Sequence, residues 1–70
     1  MQDLQTSDPK AHVNNIKGSI DELISHLRRD VDRVDEPRAK ALFETSAEVL
    51  GGLAKAFEHY EAGQEPAWRR

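Results

Sequence analysis

Pro37 falls near the midpoint of a 70-residue chain whose apolar residues otherwise repeat at helical spacing. A proline inside a helical pattern removes an amide donor and pushes the preceding residue out of helical angles. The pattern must therefore divide there into two helices. Val34-Asp35-Glu36-Pro37 supplies the break. Asp35 or Glu36 can cap the second helix, and the Pro37 ring suits its first turn. The acidic pair also faces the positive end of that helix dipole. So short a connection predicts antiparallel neighbours.

Before the break, apolar residues stand at Val13, Ile16, Ile20, Leu23, Leu27 and Val34. This is a heptad seam, interrupted once where Asp30 takes a core-type position. Ile24 and Val31 widen the stripe. Asp8 is placed to cap this helix and Pro9 to open it. After the break, Phe43, Ser46, Leu50, Leu53, Phe57 and Tyr60 hold heptad spacing. Leu42, Val49 and Ala56 flank one side, and Ala47 and Ala54 the other. Glu36–Lys40 and Lys40–Glu44 have i,i+4 spacing, and Gly63 suits a C-terminal stop. The expected organisation is one all-α domain over residues 1–70: helix 8–34, turn 35–37, helix 37–62 and tail 63–70.

A chain of this size builds a small core, and below roughly 70–80 residues that core supplies only about 3–5 kcal/mol. There is no cysteine, so disulfides, thiolate metal sites and thiol nucleophiles are excluded. Self-association, a partner chain or unusually good helix packing must supply the remaining stability. Both stripes are wider than a two-helix seam needs, which is the pattern of a bundle. The expected architecture is a two-helix antiparallel hairpin that dimerises into a four-helix bundle, or else packs on another helical protein. Candidate interface residues are Ile20, Leu23, Ile24, Leu27, Phe43, Ala47, Leu50, Gly51, Leu53, Ala54, Phe57 and Trp68.

Ala47, Gly51 and Ala54 share one helix face, with Gly52 beside them. Two adjacent glycines inside a helix cost roughly 2 kcal/mol in propensity. Close packing against the partner helix is the plain explanation; room for a ligand or a functional bend is the sharper one. Trp68, beside Arg69 and Arg70, either folds back over Val13, Phe57 or Tyr60, or anchors a partner.

Metal chemistry has weak support. Glu22 and His26 share a face, and antiparallel pairing brings Glu48 to their level, but no Glu-x-x-His occurs. With Phe43 and Leu50 inward, Glu48 points outward. His12 and His59 come to one level near the open end, where surface histidines are the plain reading. No catalytic elbow, phosphate loop or zinc-protease motif is present. Formal net charge is −3 with both signs interleaved, which disfavours nucleic acid. No apolar run reaches the length of a membrane span, neither helix has a strongly basic polar face, and the N-terminus lacks signal-peptide features. The sequence therefore points to a non-enzymatic, cytoplasmic interaction or scaffold module without cofactor. The alternative is a metal- or small-ligand-binding bundle built on Glu22, His26 and Glu48.

Overall fold

The computed structural model describes residues 1–63. Among these, two helices pack against each other and no strand forms: α1 (Pro9–Val31) and α2 (Pro37–Ala62). Asp8 caps α1 as its sequence position suggests, with Oδ1 accepting from the Lys10 amide at 3.0 Å. Pro9 takes the first turn, where its missing N–H loses nothing.

α1 stops at Val31, three residues before Val34. The Asp30 carbonyl accepts from both Arg33 (2.9 Å) and Val34 (3.2 Å), so the last turn tightens before the chain leaves. The Lys40 ammonium reaches across from α2 and donates to the Val31 carbonyl at 2.8 Å. An orphan carbonyl at a helix C-terminus is thus satisfied by a cation, which also suits the dipole. This contact occupies the lysine that the sequence pairs with Glu36 or Glu44.

α2 opens with Glu36 in extended geometry and Pro37 behind it, as the pre-proline restriction requires. The capping expected of Asp35 or Glu36 is not made by a side chain: Glu36, at the N-cap position, has no such hydrogen bond. Its carbonyl accepts from the Lys40 amide at 3.0 Å. At the far end Gly63 adopts φ 67°, a left-handed conformation that favours glycine, and its amide returns to the His59 and Tyr60 carbonyls.

The packing departs from the expected seam in one respect. Ile20, Ala47 and Ala54 are the buried apolar residues among those described, and Ala47 is only 1% exposed. Leu23 and Leu53, expected inside, are 47% and 45% exposed. α2 is rotated so that its alanines, not its leucines, face α1. An alanine at the contact lets two backbones approach more closely than a leucine does. Leu27, Phe43, Leu50 and Phe57 are half-buried beside this contact, and the molecule is 13 Å across its thinnest dimension. That is little more than one helix diameter of about 10–12 Å.

Residues before Pro9 fold back on α1. The Asn15 amide donates to the Gln2 carbonyl at 2.8 Å. His12 Nε2 lies 2.7 Å from the Thr6 carbonyl, which fixes the proton on that nitrogen.

Enlarging Ala47 to Leu should cost about 1–3 kcal/mol by overpacking, whereas Ala41→Leu, at an exposed position, should stay within about 0.5 kcal/mol. Urea denaturation of the two variants checks this; equal effects would remove Ala47 from the helix contact.

Candidate functional site

The two broad faces of the hairpin differ in chemistry. On one, Leu23 and Leu27 of α1 and Thr45, Ser46, Val49 and Leu50 of α2 line a shallow apolar groove. On the other, Arg28 and Val31 face Glu44, Ala47 and Glu48. Helical rotation explains the separation: Leu23 and Arg28 are about 140° apart around α1 at 3.6 residues per turn. The wide stripe in the sequence is thereby resolved into an inside, an open apolar side and a charged side.

Exposure is concentrated on the open side and on α2. Leu42 is 62% and Val49 66% exposed, alongside Leu23 and Leu53. Leu42, Val49 and Ala56 recur at sevenfold spacing, which keeps them aligned along α2. Near the open end of the hairpin, Val13, Ala56, Phe57 and Tyr60 line a second apolar recess. This is the region that Trp68 covers in one of its two expected roles, the other being a partner anchor; Trp68 itself lies outside the described residues.

The charged side is tied across the helices. Lys17 Nζ stands 3.2 Å from Asp21 Oδ2 on its own helix and 3.7 Å from Glu58 Oε1 on α2. The hydrogen bond to Asp21 raises the Lys17 pKa above its ordinary 10.5; desolvation opposes this, and the charges of Asp21, Glu58 and Glu61 reinforce it. Lys17 is not among the residues expected at a site, although its four-residue spacing to Asp21 is a readable signal. Glu58 is not readable in that way, because it lies on the other helix.

The twelve candidate interface residues separate under this geometry. Ile20, Ala47 and Ala54 are internal to the hairpin. Leu23, Leu27, Leu50 and Leu53 lie on the open apolar side or at its edge, with Phe43 and Phe57 half-buried beneath it. Ile24 stands seven residues beyond Lys17, and Gly51 seven before Glu58, so both turn toward the charged side. A methyl group added to Gly51 or Gly52 would meet nothing within 4 Å. Close packing of α1 therefore does not explain these glycines.

The metal candidates are not brought together. Glu22 borders a recess with Met1, Gln2, Asn15 and Ser19. His26 Nε2 lies 3.2 Å from Asp30 Oδ2, and Glu48 is on the opposite groove. Among the described residues no group of three or more His, Cys, Asp or Glu side chains is arranged to hold a metal ion. No helix among them is long and apolar enough to cross a membrane. The chain matches no protein-family model, no curated protein and no solved structure.

Two outcomes follow from this geometry. Gly51→Ala and Gly52→Ala should each raise stability by up to about 1 kcal/mol through helix propensity, read as an increase in thermal midpoint. A loss at Gly51 would mean that something outside the hairpin approaches it. The stabilisation lost in Lys17→Met should be constant at pH values below 10.5 and disappear as pH rises through the raised Lys17 pKa. Paired urea denaturations from neutral to strongly alkaline pH read this directly; an undiminished difference at the alkaline limit would dissociate it from the lysine charge.

Proposed function

We propose that this chain is a non-enzymatic helical interaction module, that its working surface is the open apolar side, and that a second copy covers that side to form a four-helix bundle. The observation that carries the reading is the pairing of a one-layer hairpin with a groove whose walls are Leu23, Leu27, Val49 and Leu50. Three small or medium side chains are buried among the described residues, and none of the large ones is fully buried. A chain with so little interior gains most from burying Leu42, Val49 and Leu53 elsewhere, since fully covering one such side chain is worth about 1.5–3 kcal/mol.

A cover that spans both helices must itself be long and apolar along one face. A second copy has that shape and is present at matched concentration wherever the chain is made. The charged side, with Lys17, Arg28, Glu44, Glu48 and Glu58, then remains toward solvent, as expected of a bundle exterior. The lack of cysteine suits a reducing compartment such as the cytoplasm.

Sedimentation equilibrium over a tenfold concentration range tests the reading. The expected result is twice the chain mass of 7.9 kDa, with Val49→Lys and Leu53→Lys weakening association by at least about tenfold each, or some 1.4 kcal/mol. A monomer throughout the range, or dimerisation indifferent to both lysines, would overturn it.

A further inference from the structure

The recess of Val13, Ala56, Phe57 and Tyr60 lies close to the point where α2 ends at Ala62. Two aliphatic residues and two aromatic rings line it, so it offers methyl and ring surface. Its volume is about 240 Å³, more than the roughly 150 Å³ of an apolar cavity that takes benzene. An indole, a benzene ring with a second ring fused to it, has room there.

The chain that follows α2 is positioned to reach it. The left-handed Gly63 ends the helix and turns the backbone off the helix axis. Five residues then separate Gly63 from Trp68, a span of up to about 17 Å when extended. Ala56, the farthest of the α2 residues in the recess, stands seven residues before Gly63, or about 10 Å along the helix. The remaining length is available to cross toward Val13 on α1. Of residues 64–70 only Trp68 carries a large apolar side chain.

Charge supplies a second match. His59 is the only basic residue in the last turn of α2, with Glu61 in the same turn and Glu58 just before it. The negative end of a helix dipole favours cations and disfavours carboxylates. α1 meets this with Arg28 and Arg29 in its last turn; Arg69 and Arg70 would do the same for α2. Residues 1–20 and 49–63 carry four acidic and three basic side chains, and residues 64–70 carry one acidic and two basic. The segment thus neutralises the end of the hairpin that it would cover.

We infer that Trp68 seats in this recess within its own chain, bringing Arg69 and Arg70 to the C-terminal end of α2. A short tether holds the indole near the recess at an effective concentration on the order of millimolar, which a separate chain does not match. Seating Trp68 there fills only the open end. The groove of Leu23, Leu27, Val49 and Leu50 stays uncovered, so self-association is neither required nor blocked.

Trp68 is the only tryptophan, and its fluorescence therefore reports this site alone. Relative to the chain unfolded in urea, emission should be blue-shifted and acrylamide quenching lowered severalfold, both unchanged across a tenfold range of concentration. Ala56→Lys, at an exposed position, should return both to the unfolded values while circular dichroism keeps the helical signal. Wild-type emission at the unfolded value, or a folded Ala56→Lys variant with unchanged emission, would overturn the inference. Protection that grows with concentration would also overturn it, placing Trp68 between copies and leaving self-association standing. Should the lysine perturb the helices, NOEs between the Trp68 indole and the Val13 methyls of the unaltered chain decide the matter. In a mixture of labelled and unlabelled copies these are expected within one chain; their absence, or their appearance only between copies, would sink the assignment.

Discussion

The burial of Ile20 on α1 and of the alanine face of α2 governs everything else in the hairpin. Ala47 and Ala54 are the most buried residues of α2, and their small size sets how closely the helices approach. Directing them inward turns Val49 and Leu53 outward, because residues two and six positions from Ala47 lie well round a helix of 3.6 residues per turn. The hydrophobic surface that the hairpin exposes is thus a geometric consequence of how tightly it closes. A leucine-faced closure would bury Leu53 and leave less apolar surface for another chain.

Polar contacts hold this arrangement from both ends. At the tip Lys40 satisfies the Val31 carbonyl, so the loop is fastened by a cation bridging the helix that ends and the helix that begins. Farther along, Lys17 reaches Glu58 on the opposite helix as well as Asp21 on its own. Exposed pairs of this kind contribute little each to stability. They keep one side of the hairpin charged while the other stays apolar.

The glycine pair marks the limit of explanations internal to the hairpin. Gly51 faces the charged side and Gly52 is exposed, and added methyl groups would meet open space at both. The described residues supply no steric reason for either glycine. The Glu22, His26 and Glu48 set is divided by the same rotation that separates the two faces: Glu48 goes to the charged groove and His26 to Asp30.

Local chemistry alone determined the helical class, the break before Pro37, the Asp8 cap and the Gly63 stop, because each depends on residues within one turn of itself. Heptad spacing also showed that more apolar surface exists than two helices consume. Tertiary structure decided which part of that surface is used. At the early end of α1 the Val31 carbonyl is satisfied by Lys40, which lies nine residues away and on another helix. The choice of Ala47 and Ala54 over Leu53 as the inward residues depends on how closely two cylinders can pack. Periodicity fixes the angles between residues on one helix, but it leaves open how that helix is turned toward its neighbour. Only the packed pair selects that rotation, and with it the face that remains open.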